Sequence, residues 1–224
     1  MSSIEFPIVG QHTAARFDDL LSRPVKRLMD MAGAALGLIL LSPVLLLVAI
    51  LVRLDTPGPA VFRQQRMGRG GRLFWCLKFR SMTVDADELL GQLESRNESP
   101  DGVMFQMKDD PRVTRVGRFL RRSSLDELPQ LWNILRGEMS LIGPRPLSLP
   151  ECRKLASLDP EPFRTRLAVL PGLTGLAQVS GRRDLSSLRT LELDRRYVRE
   201  WSLGMDLTIL ARTVVVVLSR DGVD

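Results

Sequence analysis

At 224 residues the chain has room for one packed domain, or for one domain with an appendage. Lys and Arg outnumber Asp and Glu by 32 to 26 and leave a net charge of +6, which suits a polyanionic partner: nucleic acid, anionic lipid headgroups or a phosphorylated small molecule. Two cysteines at no metal-ligand spacing, Cys76 and Cys152, exclude a disulfide framework and fit a reducing compartment, and a single histidine, His12, excludes most imidazole chemistry not built around that residue.

In chain order, residues 1–22 read as a polar N-terminal segment. From Met31 to Val52 follow 22 residues without a charge, where about 20 suffice to cross a bilayer. Ser42-Pro43 falls mid-run, where proline removes an amide donor, so the helix is expected to kink or break there, each half being too short to span alone. Both flanks are basic, with Arg23, Lys26 and Arg27 before and Arg53, Arg63 and Arg66 after, and neither is readily exported. A re-entrant hairpin over residues 23–54 satisfies both features, provided that the Ser42 hydroxyl or a similar group satisfies the backbone near Pro43. A proline-kinked true span is the alternative. A signal peptide fits poorly, because the run is too long and continues into Arg53-Leu-Asp-Thr.

Residues 55–224 form the remaining domain. Ala60–Phe62 and Leu73–Phe79 look like strands around a Gly-rich turn at Gly68–Gly71, and residues 84–95 have helical spacing. Arg112, Arg115, Arg118 and Arg121 recur every third residue, with Arg122 beside them, which reads either as a solvated basic face or as an anion site. In Ser124-Leu-Asp-Glu-Leu-Pro-Gln-Leu-Trp-Asn-Ile-Leu135, Pro129 is tolerated only in a first turn, so the helix is expected to start near Ser124–Asp126, and Ser124-x-x-Glu127 fits a capping box. Asp126 and Glu127 are then either first-turn carboxylates or a reaction centre, one attacking an electrophile while the other orients it or holds a metal.

Gly137–Pro146 presents Arg145 between two prolines, a rigid fork suited to phosphate. Pro171–Asp184 is a Gly-punctuated loop whose Gln178, Arg182 and Asp184 can reach a ligand. Residues 188–200 read as a charged helix. Residues 201–218 are apolar but carry Asp206 and Arg212, and suit a helix lying on the bilayer surface or packed on the core.

This order of motifs, from Leu54-Asp-Thr-Pro-Gly-Pro59 and Lys78-Phe-Arg-Ser-Met82 through Asp110-Pro-Arg112, the Asp-Glu stretch and Met139–Pro146 to Pro171–Gly175 and Gln178–Arg182, resembles the bacterial sugar transferases, also called monotopic phosphoglycosyl transferases. The likeness runs from about Pro24 to Leu218 and is to the compact members that hold the catalytic domain without further spanning helices. It implies a mainly helical α/β fold: a small membrane-associated catalytic domain with a re-entrant helix-break-helix and amphipathic interfacial helices. It also implies a reaction. A UDP-sugar, such as UDP-glucose or UDP-galactose, gives its sugar 1-phosphate to undecaprenyl phosphate, releases UMP and initiates exopolysaccharide or other surface-glycan synthesis.

By the same resemblance Asp126 is the nucleophile of a covalent intermediate, Glu127 its partner, and Mg2+ sits at Glu127 and Asp126. Lys78, Arg80, Arg121, Arg145, Gln178, Arg182 and Asp184 are the expected substrate contacts. Membrane lipids, a homodimer and downstream glycosyltransferases are the expected partners, with no nucleic acid. The implied location is the bacterial inner membrane, catalytic domain on the cytoplasmic face. The competing expectation is a non-catalytic, membrane-tethered basic scaffold, which leaves the co-occurrence of the carboxylate pair, the Pro-Arg-Pro loop and the Gly-rich loop without a reason.

Overall fold

The apolar run and its basic flanks fold as one helix, α1 (Phe17–Asp55), in a computed structural model that describes residues 17–219 apart from Pro100, Met104 and 182–184. His12 and most of the polar 1–22 segment lie outside the described residues. Of the kink or break expected at Ser42-Pro43, a complete break does not occur, and helical backbone continues through it. Pro43 has no N–H to give the Ile39 carbonyl four residues back, but the Ser42 hydroxyl donates to that oxygen at 2.8 Å, so the turn keeps its acceptor satisfied.

One stripe of α1, Ala34, Leu38, Leu41, Leu45, Val48 and Val52, alternates steps of four and three and turns toward the rest of the chain. The opposite face leaves Leu36, Ile39, Leu40, Leu46 and Leu47 more than half exposed. Both ends are tied to the same domain. Near the start, Lys26 pairs with Asp206 at 2.6 Å and Asp30 accepts from the Leu141 amide at 2.9 Å. Near the end, Val48 and Val52 pack on Phe79 and Leu120, and Asp55 accepts from the Val116 amide at 3.2 Å.

The anticipated hairpin is β1 (Val61–Met67) and β2 (Leu73–Phe79), antiparallel from Val61↔Phe79 to Met67↔Leu73, with Gly70 and Gly71 taking the positive φ its turn requires. After α2 (Ala86–Leu93) come α3 (Arg115–Ser123), capped by Thr114, and the short α4 (Gln130–Leu135). Two further strands, β3 (Ser140–Ile142) and β4 (Leu147–Ser148), flank the Pro-Arg-Pro loop, and β4 extends the hairpin in the order β2-β1-β4.

Residues 149–166 carried no expectation and form α5 (Leu149–Leu158) and α6 (Pro160–Arg166). Their prolines sit in first turns, where a missing N–H costs nothing, and Ser148 with Glu151 closes a capping box. Strand β5 (Gly172–Thr174) pairs in parallel with β3. The chain then runs through α7 (Ser187–Glu200) to α8 (Leu203–Ser219). On α8, Asp206 and Ile209 face inward while Leu207, Val214 and Val215 face out. Tyr197 and Trp201 both donate to Asp206, so this aromatic lead-in packs on the core. The fold is the expected mainly helical α/β arrangement, with a long apolar N-terminal helix.

Candidate active site

Helix α3 closes at Ser124, whose backbone is left-handed (φ 56°), and a 3-10 turn, Leu125–Glu127, follows before α4 begins at Gln130. The expected capping box at Ser124 is therefore not formed: its side chain makes no capping bond, and its own N–H is used in closing α3. Both carboxylates precede the first turn of a six-residue helix, so the helix dipole is not what sets their charge.

Cations set it instead. Lys78 Nζ, from β2, donates to Glu127 Oε1 at 2.6 Å, and Arg145 Nη1 reaches the same oxygen at 3.1 Å. Burial alone would raise the Glu127 pKa, but the charges of Lys78 and Arg145 outweigh it and bring it down to about 2. Asp126 differs. It is 8% exposed and accepts no hydrogen bond among the described residues, and burial, reinforced by the neighbouring Glu127 charge, pushes its pKa up against the pull of Lys78 and Arg121. The two adjacent carboxyls thus play different parts. Glu127 is a fixed counter-ion, and Asp126 is a buried and unpartnered oxygen donor facing a cavity of about 1410 Å³.

The loop bearing Arg145 is held from behind. Gly143 lies so close to Gly172 and Gly175 that a Cβ on either would strike its backbone, and three bonds, Ser140 N to Pro171 O, Gly143 N to Thr174 O and Gly172 N to Pro144 O, each at 2.9 Å, lock the two Gly-rich loops together. Arg166 Nη2 donates to the Arg145 carbonyl at 2.6 Å while its Nε pairs with Asp194 at 2.9 Å, both side chains being almost fully buried. Arg166 and Asp194 escaped sequence reasoning; they sit 28 positions apart on α6 and α7, and nothing local marks them.

The expected contacts divide. Lys78, Arg80, Arg121, Arg145 and Gln178 line the cavity with the two carboxylates. Arg121 Nε donates to Ser81 Oγ at 3.0 Å. The Gln178 amide is buried, and neither its oxygen nor its nitrogen is hydrogen-bonded among the described residues. Arg80 lines the cavity but spends its terminal nitrogens elsewhere. Its Nη1 and Nη2 donate to the carbonyls of Pro57 (2.5 Å), Thr56 (2.7 Å) and Val52 (3.3 Å), capping the end of α1. Arg182 and Asp184 lie outside the described residues. The arginine series also splits: Arg112 is buried against Asp110 at 2.7 Å, whereas Arg115, Arg118 and Arg122 are not buried.

No group of three or more His, Cys, Asp or Glu side chains gathers among the described residues. Magnesium takes few protein ligands and completes its octahedron with waters and substrate phosphate oxygens. The free Asp126 carboxylate and Glu127 Oε2, which also carries no hydrogen bond among the described residues, are the donor set such an ion needs, and the site fits it.

Comparison with known proteins bears on this geometry. The family described as bacterial sugar transferase matches residues 21–220. The chain is 45% identical over 203 residues to a UDP-glucose:undecaprenyl-phosphate glucose-1-phosphate transferase of Caulobacter vibrioides, covering 88% of this chain and 70% of that one. It is 43% identical over 204 residues to an undecaprenyl-phosphate galactose phosphotransferase of Salmonella typhimurium, covering 90% of this chain and 42% of that protein. The exopolysaccharide production protein ExoY of Rhizobium meliloti is 43% identical over 201 residues, 87% of this chain and 86% of its own length. Against several such relatives, the Salmonella protein included, the chain spans less than half of their length.

Proposed function

The chain belongs to the bacterial sugar transferase family, and from that premise we propose that it moves a hexose 1-phosphate from a UDP-sugar, of the glucose or galactose kind, to undecaprenyl phosphate. The observation that carries this reading is Asp126: a buried carboxylate with no hydrogen-bond partner among the described residues, on a cavity wall beside two cations that a carboxylate already holds in place. A non-catalytic scaffold has no use for so costly a group.

In the first half-reaction an Asp126 oxygen attacks the phosphorus that bears the sugar. The bond from that phosphorus to the bridging oxygen breaks, its electron pair leaves with UMP, and the sugar phosphate stays on Asp126 as an acyl phosphate. In the second, a phosphate oxygen of undecaprenyl phosphate attacks the same phosphorus and the Asp126 carboxylate leaves, giving the lipid diphosphosugar. Lys78 and Arg145, fixed by Glu127, are positioned to offset charge on the diphosphate, and the unpaired Gln178 amide supplies a donor and an acceptor for the donor substrate. A magnesium ion held by Asp126 and Glu127 would supply Lewis-acid charge neutralisation for the departing phosphate.

The segment 23–54 is read as a re-entrant membrane element and residues 55–224 as the catalytic domain on the cytoplasmic face of the inner membrane, where the lipid product passes to glycosyltransferases that extend it. The attachment of both ends of α1 to one domain supports this reading. Purified enzyme given undecaprenyl phosphate, magnesium and a panel of UDP-sugars is expected to release UMP with one or two hexose donors; no release from any donor would overturn the proposal.

A further inference from the structure

The cavity at Asp126 is not uniform along its length. Around the carboxylates its wall is charged, with Lys78, Arg121 and Arg145. The same cavity also has an apolar lining: Leu128 next to Glu127, Leu41 on α1, Leu141 and Leu173 on β3 and β5, and Leu210 and Val217 on α8, with Thr174 and Thr213 the polar residues among them. Leu141 and Leu173 sit side by side, because Ser140 is opposite Gly172 and Ile142 opposite Thr174 in the parallel pair. Leu210 and Val217, seven positions apart, share one face of α8. Leu210 is 40% exposed, so the cavity lining reaches the surface at α8, and the two helices that contribute to it carry outward apolar residues: Ile39, Leu40, Leu46 and Leu47 on α1, and Leu207, Val214 and Val215 on α8.

Resting on the sugar-phosphate transfer reading, we infer that this apolar lining forms a lobe that seats the hydrocarbon chain of the lipid acceptor, which enters between α1 and α8 with its phosphate leading toward Asp126. The occupant follows from the chemistry of the two ends. A molecule anionic at one end and hydrocarbon at the other matches the charged wall and the apolar one. A nucleotide sugar is polar throughout and has nothing to bury against six aliphatic side chains. The chain then slides in from the bilayer without crossing water, and donor and acceptor approach Asp126 from different directions.

The test fills the lobe and reads the two substrates apart. Leu210→Trp and Val217→Trp, in detergent or nanodiscs, are compared with wild type for the KM of each substrate and for UMP released from the UDP-sugar before lipid is added. The expected result is a KM for undecaprenyl phosphate raised 10-fold or more, with the KM for UDP-sugar and the lipid-independent UMP burst within 2-fold of wild type. A milder variant, Leu210→Ala, is expected to raise the lipid KM by a smaller factor. Unchanged lipid KM in both tryptophan variants, or equal loss toward both substrates, would overturn the assignment. Wild-type enzyme that releases no UMP from any donor would instead overturn the transfer reading itself, so the two failures are distinct. Stabilisation of the protein by undecaprenyl phosphate in a thermal-shift measurement, lost in the tryptophan variants, reports the same site without turnover.

Discussion

Asp126 and Glu127 are neighbours in sequence with opposite electrostatics. Glu127 stays ionised at any physiological pH because its pKa lies near 2, whereas Asp126 is raised above its ordinary 3.8 by burial and by Glu127. A nucleophile must be deprotonated, so the rate should fall as pH drops through the raised Asp126 value, and Glu127 should contribute no limb of its own. Lys78 opposes the Asp126 shift; Lys78→Gln should therefore move the acid limb to higher pH and lower the plateau rate by a factor on the order of 100. A pH–rate profile checks both, and a limb that moves to lower pH would contradict the assignment. The pair itself was legible in the sequence. Its control was not: the expected helix dipole is absent, and the cations that replace it come from 49 and 18 positions away.

At the scale of elements, Arg80 shows how a cavity-lining side chain can be held by the fold. Two positions after Lys78, it is expected from the sequence to join the phosphate site, and it does line the cavity, yet its two terminal nitrogens are held by the carbonyls of Val52, Thr56 and Pro57 where α1 ends, the Val52 oxygen also accepting from the Thr56 amide. Gly58, with φ 115° and no room for a Cβ beside that guanidinium, completes the cap and gives the Thr-Pro-Gly-Pro stretch its purpose. Arg80→Met should cost about 2–4 kcal/mol, a Tm drop of roughly 5–12 °C, with the KM for UDP-sugar unchanged in the folded fraction. A raised KM at unchanged Tm would return Arg80 to the substrate site. The hairpin, α3, α7 and α8 were readable from periodicity and turn chemistry. The β3–β5 pair was not, since strands of three residues about 30 positions apart leave no periodic trace. Only the tight approach of Gly143, Gly172 and Gly175 explains why both loops need glycine.

For the whole molecule the decisive feature is that α1, apolar enough to cross a bilayer over Ser22–Asp55, is fastened to one domain at both ends. A through-membrane span would part those attachments. With Cys76 and Cys152 replaced by alanine, cysteines at Arg23 and Arg53 should both be shielded from an impermeant maleimide outside intact cells and both react after permeabilisation; external labelling of either would mean a true span. On the proposed function, the same arrangement would hold the reaction centre at the interface where a lipid phosphate resides. The claim on which everything turns is that Asp126 carries the sugar phosphate. Enzyme incubated without lipid and with a UDP-sugar labelled at its sugar-bearing phosphorus should release up to one equivalent of UMP, retain the label covalently, and surrender it when undecaprenyl phosphate is added. Asp126→Asn, folded with a Tm at or above wild type because a buried charge is gone, should take up no label and turn nothing over, whereas turnover retained in that variant, or wild-type turnover with no labelled protein, would contradict the account.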